Sequence, residues 1–311
     1  MEKLQSMPNY EIIRIIGSGA FGYVFEAFDQ QRRQKVALKR MQKVGKFQSR
    51  ECEILQQLKQ CSYVVKILVQ EHIMQDVFYS KSEDNKMIQN IILEFMDQNL
   101  EDIIQEHRKK EIYLDCKVLK NYLYQTFKGL DQIHRKHIAH RDLKPENILV
   151  KDGKIKLCDF GSAKQLHPVT INTPYIVSRF YRAPELLLGI TEYDVSIDIW
   201  AMGCIMAELA LLEPFFIGKS DGDQFFKILR ILGSFSKQDL KYYQKVVPFN
   251  GKLFKEFPNY ERINLNKKFE HIDDKDLFID LLSKLLKYIP EERITASQAL
   301  KHQYFKELLD Q

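Results

Sequence analysis

Cysteine is sparse in these 311 residues, and the five present stand at irregular spacing with no C-x-x-C pair. An odd, scattered set argues against a disulfide framework and a thiolate zinc site, and for a reducing compartment. Long apolar runs are also absent. The longest, Ile199 to Ala207, stops at Glu208, too short to cross a bilayer, and reads as a buried helix. Met1 to Pro8 hold no apolar signal core, so a cytoplasmic or nuclear location is expected. The net charge of +5 comes without a basic block dense enough for nucleic acid. Neither nucleic acid nor membrane is expected as a partner. There is no internal repeat and no low-complexity tract.

What is present is a set of short strings that carry chemistry. His140-Arg141-Asp142-Leu143-Lys144-Pro145-Glu146-Asn147 comes first, and Asp159-Phe160-Gly161 follows a little downstream. Both strings, in this order, resemble the catalytic and metal-binding motifs of the eukaryotic protein kinases. The resemblance runs from about Tyr10 to about Phe305. It implies an α+β bilobal fold, with a small β-rich N-lobe over 1–96 and a larger, mainly helical C-lobe over 97–311. It implies ATP and Mg²⁺ between the lobes, Asp142 as acceptor of a substrate hydroxyl proton, and Asn147 and Asp159 as metal ligands. Lys144, two residues after Asp142, is the serine/threonine form of the loop and is placed by the resemblance against the transferred phosphate. Glu146 and Cys158 are counted with the nucleotide-binding residues.

Upstream, Gly17-Ser18-Gly19-Ala20-Phe21-Gly22 separates two β-like runs, Tyr10 to Ile16 and Tyr23 to Phe28. A dinucleotide fold would follow these glycines with a helix. An aromatic, β-branched run reads as a strand instead, and a glycine loop between strands is the kinase arrangement, letting backbone amides approach phosphate. Val36-Ala37-Leu38-Lys39 matches the strand that carries the phosphate-binding lysine. A helix is expected over Phe47 to Leu58, with Glu51 as partner of Lys39 and Glu53 as the competing candidate. The resemblance puts Leu93 at the gatekeeper position, gives Glu94 and Met96 backbone contacts with adenine, and makes Val24, Ala37 and Leu149 the walls around its ring. The polar stretch Gln75 to Gln89 reads as an extended loop.

In the second half an amphipathic helix is expected over Val118 to Arg135. Ala183-Pro184-Glu185 matches the end of the kinase activation segment. The family pairs this Glu185 with a buried arginine, here Arg293, and uses the equivalent of Asp198 to cap the catalytic-loop backbone. Ser178 stands where the family has a hydroxyl bridging the catalytic aspartate and lysine. Tyr181-Arg182 marks the group holding cyclin-dependent, mitogen-activated and glycogen synthase kinases, whose insert fits the irregular stretch Val246 to Ile272.

Within that group Asp159 to Leu166, Ser196 to Trp200 and Gly203 to Leu209 are most similar to the glycogen synthase kinase-3 (shaggy) family. That resemblance aligns Arg50, Arg141 and Lys164 with three basic residues that bind a phosphate already on the substrate, four residues C-terminal to the target. Converging cations call for an anion. Tyr175 aligns with a tyrosine the family phosphorylates in cis. Thr173 departs from the family and stands where the related kinases carry their activating threonine. A phosphate on Thr173 would fill the basic pocket from within. The alternatives are therefore a proline-directed kinase activated at Thr173 and Tyr175, or a pseudokinase scaffold, against which Lys39, Asp142 and Asp159 are all present. Ser6 has no arginine-rich context, so no inhibitory N-terminal phosphoserine is expected. Protein substrates, and a scaffold docking between Gly233 and Asn264, complete the expected partners. Cys158 reads as a small buried filler, with an alkylation site behind the nucleotide as the other reading.

Overall fold

The computed structural model describes residues 9–19, 22–42, 50–68, 77–81, 87–166, 178–247 and 258–309. Its residues fall into two compact units, Met1–Asp97 and Gln98–Gln311. Ser6, Thr173 and Tyr175 lie outside the described residues, as do Ala20 and Phe21.

The first unit is built on one antiparallel sheet of β1 (Tyr10–Gly19), β2 (Gly22–Asp29), β3 (Gln34–Gln42), β4 (Val77–Lys81) and β5 (Met87–Glu94), in the order β1-β2-β3-β5-β4. Its core is Phe25, Ala27, Val36, Leu38 and Ile92, against which Tyr10, Ile12 and Leu68 pack. Gly22 has φ +148, and a Cβ there would stand 2.0 Å from the Arg40 carbonyl oxygen. Any side chain would push β2 off β3, so this glycine is needed for the sheet itself. Between β3 and β4 lies α1 (Arg50–Gln57), shorter than the Phe47 to Leu58 helix expected, with residues 43–49 outside the described set. It buries Glu51, Cys52, Ile54 and Leu55, while Glu53 is exposed.

One expectation is overturned here. The stretch Gln75 to Gln89 is not an extended loop: β4 runs through it and β5 begins at Met87. Val77 to Lys81 pairs with Met87 to Ile91. The β-forming run Val77-Phe78-Tyr79 is too short to stand out among polar neighbours, and pairing with β5 supplies the hydrogen bonds that sequence periodicity does not show.

The second unit opens with β6 (Gln98–Asn99) and α2 (Leu100–Lys110), whose N-cap Asn99 forms a reciprocal capping box with Asp102. Next comes α3 (Cys116–His134), capped by Asp115, two residues longer at its start than the expected Val118 to Arg135. The short strands β7 (Ile138–Ala139), β8 (Ile148–Lys151), β9 (Lys154–Leu157) and β10 (Lys164–Gln165) form a β6-β8-β9 sheet and a β10-β7 pair. Then follow α4 (Pro184–Leu187), α5 (Ser196–Leu211), α6 (Asp221–Leu232), α7 (Lys237–Val246), α8 (Leu265–Lys268), α9 (Lys275–Leu285), α10 (Ala296–Ala299) and α11 (Lys306–Leu309).

The expected buried helix is α5, buried from Ser196 through Ala210. A helix apolar all round belongs inside the protein. A Cβ on Gly203 would come within 2.7 Å of Leu286 and 3.1 Å of Leu285, so a glycine lets α9 pack close against α5. The stretch expected to be irregular, Val246 to Ile272, contains α8, and α7 ends at its first residue. Helix α7 carries a Ser236–Asp239 capping box. Its Tyr243 is fully buried, stacked on Phe235 at 4.8 Å and donating to the Tyr288 carbonyl at 2.8 Å, which makes it packing. Phe249 and Phe254 fall outside the described residues.

Candidate active site

The catalytic string forms the segment between β7 and β8, and its backbone is held by one carboxylate. Asp198, in the first turn of α5, accepts from the His140 amide at 2.7 Å and the Arg141 amide at 2.9 Å. His134, from the last turn of α3, meets the same carboxylate at 3.0 Å. Burial alone would raise Asp198, but the His134 hydrogen bond and the charges of His134 and His140 outweigh it and hold the carboxyl below its ordinary range. The two amides satisfied here precede a left-handed residue, Arg141, at φ 68. A non-glycine backbone in that region costs energy, and the fixed carboxylate supplies the compensation.

Asp142, next in the chain, is gripped from several sides. Its Oδ1 accepts from Ser178 Oγ at 3.0 Å and from the Ser178 amide at 3.2 Å. Its Oδ2 lies 3.6 Å from Lys144 Nζ and 3.4 Å from Asn147 Nδ2. The side chains of Asp142 and Lys144 stay partly exposed, at 17% and 24%. A solvent-reachable carboxylate with a fixed orientation and an adjacent ammonium can accept a hydroxyl proton and carry negative charge beside it.

The candidate metal ligands are tied to the same loop. Asn147 donates to the Asp142 carbonyl at 2.7 Å, which leaves its amide oxygen as a hard donor of the kind magnesium takes. The Cys158 amide donates to the Asn147 carbonyl at 3.0 Å, and the Cys158 carbonyl meets His140 Nε2 at 2.8 Å. Asp159, one residue on, is left-handed at φ 58. One asparagine oxygen and one carboxylate cannot cage a cation alone. They suit a magnesium that takes its other oxygens from phosphates and water, and no cluster of three or more His, Cys, Asp or Glu competes as a metal site among the described residues.

In the first unit, Lys39 Nζ meets Glu51 Oε1 at 2.8 Å, so Glu51 and not Glu53 is the partner. Lys39 stands opposite Val24 on β2 and Ile91 on β5. Ala37 stands opposite Leu93. Gly17, Ser18 and Gly19 pair with Val24, Tyr23 and Gly22, so the glycine string closes a strand-to-strand hairpin. Glu94 donates its amide to the Lys66 carbonyl at 3.0 Å, and its carboxylate accepts from the Lys66 amide at 2.7 Å. A backbone contact from Glu94 to a base is therefore limited to its carbonyl. Met96 is buried. Leu149, in the second unit, is half-buried on β8, as is Cys158 just beyond β9.

Glu185 and Arg293 form a bidentate pair, both contacts at 2.6 Å, with side chains 2% and 0% exposed. Of the three residues assigned to a priming phosphate, the second unit brings two together: Lys164 pairs with Ala139, two residues before Arg141. Arg141 is buried, with its guanidinium 5.9 Å from the Tyr193 ring. Arg50 is exposed at the start of α1 in the first unit. Sequence reasoning missed His134, His140 and Tyr193. The two histidines could have been suspected from their places, one ending a helix and one opening the catalytic string. No sequence signal marks Tyr193.

The protein kinase domain model matches residues 10–305 of this chain. Serine/threonine-protein kinase RIM11/MSD1 of Saccharomyces cerevisiae is 38% identical over 307 residues, covering 97% of this chain and 78% of the relative. Protein kinase gsk3 of Schizosaccharomyces pombe is 36% identical over 306 residues, covering 97% of this chain and 75% of the relative. Probable serine/threonine-protein kinase glkA of Dictyostelium discoideum is 35% identical over 306 residues, covering 96% of this chain and 59% of the relative.

Proposed function

Because this chain belongs to the protein kinase family, and within it to the glycogen synthase kinase-3 serine/threonine kinases, we propose that it uses magnesium ATP to phosphorylate protein hydroxyls four residues N-terminal to an existing phosphate. The observation that carries the catalytic part is the grip on Asp142: Ser178 on one carboxylate oxygen, Lys144 and Asn147 near the other. Asp142 orients the acceptor hydroxyl and takes its proton. Lys144 offsets negative charge on the transferring group. Lys39, steadied by Glu51, would orient the phosphates, and Asn147 and Asp159 would hold the metal. Magnesium, when bound, neutralises charge that develops on the phosphates. These are positioning and electrostatic contributions, which is most of what phosphoryl transfer asks of a protein.

The preference for a primed substrate is supported by Lys164, which pairs with Ala139 on β7, and by Arg141, two residues beyond Ala139 in the catalytic string. Steady-state transfer to a Ser-x-x-x-Ser peptide is to be compared with transfer to the same peptide phosphorylated on its second serine. The expected result is a gain of about 100-fold in kcat/KM for the phosphorylated form, from two or more charge-assisted contacts. Equal rates from an active enzyme would sink the primed reading and favour a phosphate on Thr173 in that pocket.

A further inference from the structure

Arg141 is fixed at its backbone, and its head needs a separate hold. The backbone stands at φ 68, with its amide on the Asp198 carboxylate at 2.9 Å. The guanidinium sits at the end of a long stem whose rotatable bonds cost entropy to order. An arginine that meets an anion through hydrogen bonds has to present its planar fork in one orientation. Pinning the amide does not select that orientation.

Tyr193 is placed to do so. The Arg141 guanidinium lies over its ring, 5.9 Å from the centre, within the range where a cation is drawn to an aromatic face. Tyr193 belongs to the segment between α4 and α5, just before the turn that carries Asp198. That turn is closed locally. The Asp194 carboxylate accepts from the Ser196 amide at 2.8 Å, and the Val195 carbonyl accepts from the Asp198 amide at 3.1 Å. The start of α5 therefore reaches Arg141 twice, through Asp198 at the amide and through Tyr193 at the guanidinium. Contact with a ring face sets the plane of a guanidinium without consuming an N–H donor. The phenol is half-buried, and burial pushes it up to about 12 against the opposing pull of the Arg141 charge, so it stays neutral. A neutral ring offers its negative face without adding a charge that would repel a phosphate.

We propose that Tyr193 is a positioning residue for substrate choice, holding the Arg141 guanidinium in the plane from which it meets the phosphate of a primed protein substrate. The inference rests on the primed reading above and deepens it. Its effect is exerted through Arg141, so it should appear only where a substrate phosphate is present.

The test uses the whole chain and one Ser-x-x-x-Ser peptide, with and without phosphate on the second serine. The priming ratio is kcat/KM for the phosphorylated form divided by that for the plain form. Tyr193→Phe keeps the ring and should hold the ratio within about twofold. Tyr193→Leu removes the ring and should lower the ratio about fivefold, through KM for the phosphorylated peptide, as one cation–ring contact allows. In an Arg141→Met background, adding Tyr193→Leu should change the ratio by less than about twofold, because the group it acts through is gone. If Tyr193→Leu does not fold, Tyr193→Met replaces it. If Arg141→Met does not fold, the difference between Tyr193→Phe and Tyr193→Leu decides alone. Equal losses with Tyr193→Phe and Tyr193→Leu would overturn the assignment and leave the primed reading standing. So would a loss shared by both peptide forms, or a further loss in the Arg141→Met background. A ratio of one in the unsubstituted enzyme would remove the primed reading, and the assignment with it.

Discussion

Two buried acid–base pairs, one in each unit, solve opposite problems. Arg293 in the second unit spends all three guanidinium nitrogens inside the protein. Nη1 and Nη2 fork onto Glu185, Nη1 also reaches the Ser196 carbonyl, Nη2 the Tyr288 carbonyl and Nε the Lys287 carbonyl. Its guanidinium also sits 5.2 Å from the Trp200 ring. Burial by itself would lower the Arg293 pKa, but Glu185 more than reverses it. Lys39 in the first unit meets Glu51 at 2.8 Å and keeps 14% of its side chain exposed. The first pair is closed on itself by a planar, multiply bonded fork. The second ends in a point charge that keeps some access to solvent, as the phosphate-holding role proposed for Lys39 requires.

The contrast is broken hardest by removing the two cations. Arg293→Met leaves Glu185 buried without a partner and is expected to cost about 3–5 kcal/mol of stability, read as a large drop in Tm. Lys39→Met should cost about 1–2 kcal/mol, because its partner's cation site is nearer solvent. It should nonetheless lower turnover by about a thousandfold, the scale on which a transition-state contact acts. Thermal melts and single-turnover rates on both variants check this. Equal stability losses, or a Lys39→Met enzyme with near-normal turnover, would erase the distinction.

Both pairs are legible in the sequence to different degrees. Lys39 stands in a contiguous strand motif, and Glu51 follows on a helix close by, so local spacing nearly finds it. Glu185 and Arg293 are far apart in the chain, and only resemblance to a family joins them. The same division runs through the fold. Strand β2 and helix α5 carry their own signals, a β-branched aromatic run and an apolar stretch. Strand β4 does not, because its stability comes from β5 across the sheet. Helix α7 carries a readable start in Ser236-x-x-Asp239, the two ends of its capping box. Gly22 was read as a phosphate-loop glycine, yet the Arg40 carbonyl already forbids a side chain there. Glu208, buried on α5, could not be singled out, since nothing local distinguishes it from a solvated glutamate.

A smaller effect sharpens the comparison within the catalytic loop. Ser178→Ala removes one hydroxyl bond to Asp142 but leaves the Ser178 backbone amide at 3.2 Å in place. One hydrogen bond to a charged group is worth about 1.5–3 kcal/mol, and the retained amide puts the loss at the low end. The expected outcome is about a tenfold fall in kcat with Tm unchanged and with ATP affinity unchanged. Ser178→Thr should recover most of it. A loss as large as that of Lys39→Met would mean that Ser178 does more than orient the carboxylate.

The smallest effect is a change of slope with pH. Glu208 on α5 lacks a cationic partner of the kind Glu185 and Glu51 have; burial pushes its carboxyl up to about 8 against a hydrogen bond from Tyr181, with Glu101 and Glu146 adding to the rise. Because the folded value lies above the unfolded one, the folded state binds the extra proton. The stability linked to that proton is complete below the ordinary carboxyl range and is lost as pH rises through about 8. Glu208→Gln carries no such proton. Its Tm, relative to the unsubstituted protein, should therefore climb between pH 5 and pH 8.5. A gap in Tm that stays flat across that range would show Glu208 already ionised in the folded protein, with its charge met as that of Glu185 is met by Arg293.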